Sequence, residues 1–93
     1  MRFEWDPRKS KANLREHGVS FDEASSAFDD PEGRVEFDPT HSQNEDRFWL
    51  LARSLRDRPL VISFCYRDAD VVRIISARKA SRSTRLAYLK RGK

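Results

Sequence analysis

The sequence has little of the chemistry that marks metal sites, disulfides or nucleotide loops. Its one cysteine, Cys65, excludes an internal disulfide and a zinc-type cysteine cluster. Three glycines leave no glycine-rich loop that could cradle a phosphate. The two histidines, His17 and His41, have no His or Cys at metal-ligand spacing. We therefore expect neither a metal nor a cofactor.

Long apolar segments are also missing. No run approaches the roughly 18 residues of a membrane span, and the opening residues, MRFEWD, lack the apolar core of a signal peptide. With 93 residues, 38% hydrophobic and 37% charged, the chain has material for one modest core. We expect a single domain over residues 1–93, located in the cytoplasm and without membrane contact.

Carboxylates are absent from the C-terminal quarter of the chain. Asp70 is the last acidic residue, and eight of the 19 Lys and Arg residues follow it. The net charge of the whole chain is only +4, so the segment after Asp70 is much more basic than the chain as a whole. This pattern indicates a polyanionic ligand, most simply nucleic acid. A solvated basic tail is the alternative.

Helix signals are concentrated near the two ends of the sequence. Asp6-Pro7 is a helix start, and Gly18 supplies a left-handed stop. A capping box at residues 20–23 opens a second helix. Ser81 or Ser83 caps a final helix.

The middle of the sequence alternates with period two. Strands are predicted over residues 34–37, 47–53, 60–67 and 71–77, with a further short strand-like stretch at residues 3–5. The last three long runs predict an antiparallel meander. The fold class is α+β, with an antiparallel sheet of about four strands and the two N-terminal helices and one C-terminal helix packed on one face.

Alternation also places arginines on the opposite sheet face. If Phe48, Ile62 and Ile74 face the helices, each long strand sends an arginine to the other side. The predicted row consists of Arg47, Arg53, Arg67 and Arg73. Arginines among apolar and aromatic side chains suit a phosphate backbone with splayed bases. Charges that protect the sheet from aggregation are the alternative.

One reaction on nucleic acid needs no metal, namely RNA cleavage by its own 2′-hydroxyl. It requires a base for the 2′ proton, an acid for the leaving 5′ oxygen, and cations for the crowded phosphorane. Arginine suits the last role because it binds phosphate oxygens in pairs. Composition alone also allows RNA binding without cleavage.

Several segments resemble one known family. They are residues 3–7 (FEWDP), 13–24 (NLREHGVSFDEA), 28–31 (FDDP), the Asp-x-x-His of 38–41, 45–48 (EDRF) and 73–80 (RIISARKA). In this order they are similar to the BrnT family, small bacterial ribonuclease toxins of type II toxin–antitoxin modules. The resemblance covers nearly the whole chain.

The resemblance implies a RelE-like fold whose concave sheet face binds RNA. It implies a metal-independent endoribonuclease that arrests translation. It also implies a BrnA-type antitoxin partner, which neutralises the toxin in a hetero-oligomer that binds promoter DNA through the antitoxin.

The resemblance also assigns site residues. The family's basic and tyrosine positions that match here are His17, Arg47, Tyr66, Arg73, Arg78, Lys79, Arg82 and Tyr88. The predicted catalytic residues are Arg73, Arg78, Lys79, His17 and Tyr66. The predicted RNA-binding residues are Arg47, Arg53, Arg67, Arg73, Arg78, Lys79 and Arg82. A helix-dipole role for His17 and a core position for Tyr66 remain open.

Two departures from the family pattern bear on activity. Thr84 and Leu89 stand where the family often carries glutamate. If the first glutamate is the proton acceptor, this chain lacks it. The alternative function is therefore a catalytically impaired toxin homologue that binds antitoxin or RNA. A repressor that binds DNA alone is disfavoured, because no helix-turn-helix with a basic recognition helix is visible.

Overall fold

Three helices and one five-stranded sheet make up residues 1–90, the part of the chain that this computed structural model describes. The strands are β1 (Arg2–Glu4), β2 (Arg34–Asp38), β3 (Arg47–Arg53), β4 (Pro59–Asp68) and β5 (Val71–Lys79). The helices are α1 (Pro7–His17), α2 (Phe21–Ser26) and α3 (Arg82–Lys90). Short 3₁₀ turns follow α2 at Ala27–Asp29 and β2 at Pro39–His41. The side chains of Leu89 and Lys90, and all of residues 91–93, lie outside this description.

The strands are arranged in the order β1-β5-β4-β3-β2. Strands β2 to β5 form an antiparallel meander, of which the part from β3 to β5 was predicted. The prediction of about four antiparallel strands is corrected by β1, which adds a fifth strand parallel to β5 with Phe3 opposite Val72. A three-residue strand has too short an alternation to show which neighbour it joins. Its parallel partner, β5, lies far along the chain, so there is no hairpin turn from which the pairing could be predicted.

The predicted starts of the two N-terminal helices and the end of the first are confirmed. Asp6 Oδ1 accepts a hydrogen bond from the backbone N–H of Arg8 at 2.9 Å, which caps α1. Gly18 ends this helix at φ 71°, where a side chain would be strained. Ser20 Oγ accepts from the backbone N–H of Glu23 at 3.1 Å and caps α2. No helix among the described residues has the length and apolar character to cross a membrane.

The hydrophobic core lies between α1, α2 and one face of the sheet, which we call the helix side. Phe21 of α2 is fully buried there, as are Leu60, Ile62 and Phe64 of β4. Their alternation along β4 matches the period-two prediction. Burial of one such side chain contributes about 1.5–3 kcal/mol, so this layer is the main source of stability.

Asn13 is a buried polar residue that fixes α1 on the sheet. Its Nδ2 donates to the carbonyl oxygens of Val19 at 2.8 Å and Ala77 at 2.7 Å. Its Oδ1 accepts from the backbone N–H of Ala77 at 3.2 Å. These bonds orient α1 on β5 and satisfy a side chain that would otherwise be costly to bury.

Helix α3 does not join the other two helices. Thr84 and Ala87 line a cavity together with Trp49, Leu51 and Val61, which belong to the sheet face opposite α1 and α2. We call this the open face, and α3 covers one end of it. The prediction that all helices pack on one face is therefore wrong. A short basic helix has too weak an apolar stripe to reveal which face it covers.

A bulge in β5 interrupts the predicted alternation. Ser63 of β4 pairs with Ser76, but Phe64 pairs with Ile74, so Ile75 is an extra residue. Residues beyond the bulge face the side opposite to that expected from strict alternation. The bulge therefore determines which C-terminal cations reach the open face.

Candidate functional site

A cleft of about 280 Å³ lies in the open face of the sheet. Trp49, Val61 and Ser63 of β3 and β4 line it, and the bulge of β5 contributes Ile75 and Ser76. Its titratable side chains are Asp38, His41, Arg47 and Arg78. The cleft thus combines an apolar and hydroxyl-bearing floor with one histidine, one carboxylate and two arginines.

Asp38 and His41 form a hydrogen-bonded pair in this cleft. Asp38 ends β2 with a side chain only 2% exposed, and the 3₁₀ turn after it places His41 Nδ1 2.9 Å from Asp38 Oδ2. The indole Nε1–H of Trp49 donates to the same oxygen at 3.1 Å, and the backbone N–H of Thr40 donates to Oδ1 at 3.1 Å. Because Nδ1 is held by the carboxylate, Nε2 is the ring nitrogen available to a ligand.

The surroundings of Asp38 keep it ionised. Burial by itself raises the pKa of this carboxyl, but hydrogen bonds from His41 and Thr40 outweigh it, so the pKa lies below its ordinary value. An ionised Asp38 stabilises the imidazolium that forms when His41 takes up a proton. The pair therefore has the arrangement of a histidine base oriented by a carboxylate.

Neither arginine of the cleft forms an ion pair with the part of the chain that the structure describes. Arg47 Nε is buried and makes no hydrogen bond within the described residues. Arg78 is exposed, lies opposite Val61 on the open face, and forms no ion pair with residues 1–90. A buried, unsatisfied guanidinium nitrogen is costly, so its presence points to an anionic ligand.

Arg73 and Arg67 lie next to the cleft but share one carboxylate. Glu4 lies opposite Arg73 in the β1–β5 pairing, and its Oε2 is 2.9 Å from Arg73 Nη1. The same oxygen is 3.8 Å from Arg67 Nε. Glu4 therefore partly neutralises two of the four cations in the predicted arginine row. The parallel edge strand that brings it there was not predictable from local pattern.

Arg53 and Arg82 lie at the other end of the open face. Arg53 Nη1 is 3.0 Å from Asp57 Oδ1, and its guanidinium lies 5.4 Å from the ring centroid of Tyr88. A hydrogen bond with Tyr88, followed by the bond with Asp57, raises the pKa of Arg53 despite burial. Arg82 borders a second cavity with Arg53. The predicted row of Arg47, Arg53, Arg67 and Arg73 is thus divided among three environments.

Three predicted catalytic residues do not reach the cleft. Lys79 pairs with the buried Leu60 and so faces the helix side, with Nζ close to Gly18. His17 is exposed at the end of α1, on the same side. Tyr66 is half exposed and packs on Phe48 and Phe64, so it belongs to the apolar face. Lys79 and Arg78 face opposite sides of the sheet because they are neighbours in one strand, and the bulge of β5 directs Arg78 to the open face.

The side chains that could bind a metal do not form a cluster in the described residues. Across residues 1–90 no group of three His, Cys, Asp or Glu side chains converges in metal-binding geometry. Cys65 is buried, and desolvation raises the pKa of its thiol, which favours a packing role.

Comparisons with known proteins agree with this architecture. A family model described as "Ribonuclease toxin, BrnT, of type II toxin-antitoxin system" matches residues 5–83. The chain belongs to the BrnT family. The 1.1 Å crystal structure of the Brucella abortus ribonuclease toxin BrnT is similar in fold, with a TM-score of 0.65 and 20% identity. The match covers 88% of this chain and 99% of that chain. No curated protein sequence matches.

Asp38 and His41 are titratable cleft residues of this BrnT-family chain that the sequence predictions did not assign to the site, although their Asp-x-x-His spacing is part of the family resemblance. A signal for them was present, because Asp38-Pro39 is a helix-start pair. One helical turn returns the third residue after the cap towards it, and the structure shows this contact. Only the burial of Asp38 and the bond from Trp49 distinguish the pair from an exposed loop.

Proposed function

We propose that this BrnT-family toxin is a metal-independent endoribonuclease that cleaves RNA through the RNA's own 2′-hydroxyl. The observation that carries this proposal is the cleft, where the Asp38–His41 pair lies beside two arginines without acidic partners. A base and positive charge are the groups that this reaction requires.

The chemistry follows from the positions of these groups. His41 Nε2 takes the proton of the 2′-hydroxyl, whose oxygen attacks the adjacent phosphorus. The bond from phosphorus to the 5′ oxygen breaks, and that oxygen takes a proton from water. The hydroxide that remains takes the proton of the His41 imidazolium, which restores the neutral base. The products are a 2′,3′-cyclic phosphate and a 5′-hydroxyl. Arg47 and Arg78 stabilise the negative charge of the phosphorane, and Asp38 stabilises the imidazolium.

This assignment also accounts for the missing family glutamate. Thr84 lies outside the cleft, in the cavity below α3, and its Oγ1 is 2.9 Å from Ser81 Oγ. His41 provides a proton acceptor that does not depend on position 84. The proposal therefore favours an active toxin over a catalytically impaired homologue.

The cellular setting is part of the same proposal. A type II toxin family implies an RNA substrate and an antitoxin partner. We propose that cleavage occurs in the cytoplasm and inhibits translation. We further propose that a BrnA-type antitoxin neutralises the toxin in a hetero-oligomer, which binds promoter DNA through the antitoxin. Copurification of the two proteins, and a DNA mobility shift that requires the antitoxin, test the partnership.

The enzyme assay uses the two histidines as a matched pair. Purified protein is incubated with single-stranded RNA in EDTA, and the 3′ ends of the products are identified. We expect cyclic phosphate ends, with His41→Ala reducing the rate by about 10²–10⁴-fold. His17→Ala, on the helix side of the sheet, should retain the rate of the unchanged protein.

Two results would overturn the proposal. The absence of cleavage at any enzyme excess would favour the binding-only homologue. Equal loss of activity in both histidine variants would show that the cleft is not the site of chemistry. Growth arrest on expression and inhibition of cell-free translation measure the cellular effect independently.

A further inference from the structure

The cavity below α3, on the open face, adjoins the cleft. It has a volume of about 200 Å³, and Trp49 and Val61 line both spaces. Leu51 extends its apolar floor, and Ala87 of α3 forms a wall. We call this space the side pocket. It is smaller than the roughly 300–1,000 Å³ typical of drug-sized ligands, so it suits one planar ring system.

The rim of the side pocket carries one acid and one base. Arg34 and Glu36 of β2 both border it, with Arg34 Nε donating to Glu36 Oε2 at 2.7 Å. Both side chains are about half exposed, at 49% and 50%. The second carboxylate oxygen, Oε1, has no hydrogen-bond partner within the described residues. An acceptor and a donor therefore stand side by side at the edge of an apolar floor.

Trp49 joins the side pocket to the cleft. Its Nε1–H donates to Asp38, and this bond fixes the indole between the Asp38–His41 pair and the apolar floor. Its side chain is 45% exposed, so part of its surface is open to a ligand. Aromatic side chains of this kind are the usual stacking platforms for the bases of single-stranded RNA.

We propose that the side pocket is a nucleobase subsite that selects guanine in the nucleotide next to the phosphate held in the cleft. This inference rests on the proposed ribonuclease function. The base would stack on Trp49 and lie against Val61 and Leu51, with its Watson–Crick edge towards the rim. Continuity with the cleft identifies the occupant, because the sugar and phosphate of the same nucleotide would then reach His41 and Arg47.

The charges of the rim favour guanine over the other bases. Guanine presents two adjacent donors, N1–H and the N2 amino group, which match the two oxygens of Glu36. Its O6 acceptor faces the side on which Arg34 donates. Adenine, cytosine and uracil each offer only one such donor next to an acceptor, so they leave part of the pair unmatched.

The test measures binding without cleavage. Short oligonucleotides of 2′-deoxyuridine carry one central 2′-deoxyguanosine or 2′-deoxyadenosine, so that no position offers a 2′-hydroxyl for attack. In the Trp5→Phe background Trp49 is the only tryptophan, and quenching of its fluorescence reports base stacking. We expect the guanine oligonucleotide to bind about 10- to 100-fold more tightly, the range for a matched bidentate contact.

Glu36→Gln isolates the proposed contact. It should abolish the preference for guanine, and a melting temperature close to that of the unchanged protein shows that the variant is folded. The matched control is Glu32→Gln, which removes the same charge from an exposed acid just before β2. This control should retain the preference.

Each outcome separates the subsite from the ribonuclease function. RNA cleavage with equal affinity for the guanine and adenine oligonucleotides would refute the subsite and leave the ribonuclease intact. Guanine-selective binding without cleavage would support the subsite and refute the reaction. A preference that survives Glu36→Gln, or no saturable binding of any oligonucleotide, would also overturn the subsite.

Discussion

Arginines at two places in the molecule have opposite surroundings. The first place is the cleft, with Arg47 and Arg78. The second is a network at the turn between β3 and β4, where Arg58 meets Glu23 and Ser54; we call it the turn network. Arg58 Nε is 2.9 Å from Glu23 Oε2, and its Nη2 donates to the Gly18 carbonyl at 2.9 Å. In the cleft, by contrast, Arg47 Nε is buried without a partner.

The arginine of the turn network stabilises the fold through its ion pair, whereas the arginines of the cleft are available to bind a ligand. Glu23 is 6% exposed and also accepts from Ser54 Oγ at 2.7 Å, so the turn network is satisfied internally. The charges of Arg58 and Glu23 neutralise each other and join α2 to the turn between β3 and β4. The cleft keeps a net positive charge, because its two arginines outnumber Asp38 and neither forms an ion pair within the described chain. Charge count alone does not distinguish the two groups, but pairing does.

The largest predicted effect is the loss of RNA cleavage when a cleft arginine is removed. Arg78→Ala and Arg47→Ala should each reduce the rate by about 10²–10³-fold, as expected when a donor to the transition-state charge is lost. Single-turnover cleavage of one RNA measures this loss. Melting temperatures close to that of the unchanged protein should accompany it, because neither cation holds an acidic partner.

Arg67→Ala is the matched control for this prediction. Arg67 is an exposed open-face arginine that shares Glu4 with Arg73, so its removal should change the rate by less than about threefold. The salt dependence of RNA affinity should flatten by about 0.7 per lost phosphate contact in the cleft variants. Equal losses in all three variants would indicate a diffuse binding face and break the comparison.

The next effect is on stability. Arg58→Ala should lower the free energy of unfolding by roughly 3 kcal/mol, because it leaves Glu23 buried without its main partner. Urea unfolding followed by circular dichroism measures this change. The variant should cleave RNA at the normal rate at temperatures where it is folded. Arg56→Ala, whose nitrogen is 3.8 Å from Glu23 and which is 69% exposed, should cost less than about 1 kcal/mol.

The fold was largely predictable because its signals are local. Caps at Asp6, Gly18 and Ser20 and period-two alternation located the helices and the four long strands. The placement of β1 and α3 was not predictable, because each depends on long-range packing of a short segment. The bulge at Ile75 is also a tertiary feature, and it alone reverses the faces of Arg78 and Lys79.

The candidate site was less predictable than the fold. The sequence indicated that arginines gather on one sheet face, but not which of them are neutralised. Glu4 reaches Arg73 only through the parallel edge strand, and Asp57 reaches Arg53 only through the β3–β4 turn. The Asp38–His41 pair looks like part of a polar loop until Trp49 and the burial of Asp38 are known. Ion pairing and burial are properties of the folded chain, so residue type alone could not assign them.

The smallest predicted effect is a pH dependence that belongs to the turn network. The hydrogen bond from Arg58 lowers the pKa of Glu23, and a bond from Ser54 assists against the opposing effect of burial. The unfolded carboxyl titrates near its ordinary pKa of about 4.3. Glu23 therefore contributes stability that is fully present above that pH and is lost as the pH falls through its lower folded-state pKa.

Glu23→Gln should therefore reduce the fall in unfolding free energy between about pH 5 and pH 3, while lowering stability at neutral pH. Asp22→Asn is the control, because Asp22 is exposed beside Glu23 in the first turn of α2 and forms no ion pair within the described residues. Urea titrations at several pH values measure both slopes. If Glu23→Gln retains the full acid dependence, the stabilising role of the pairing is wrong. The turn network and the cleft would then differ in the pairing of their arginines, but this pairing would not contribute to stability.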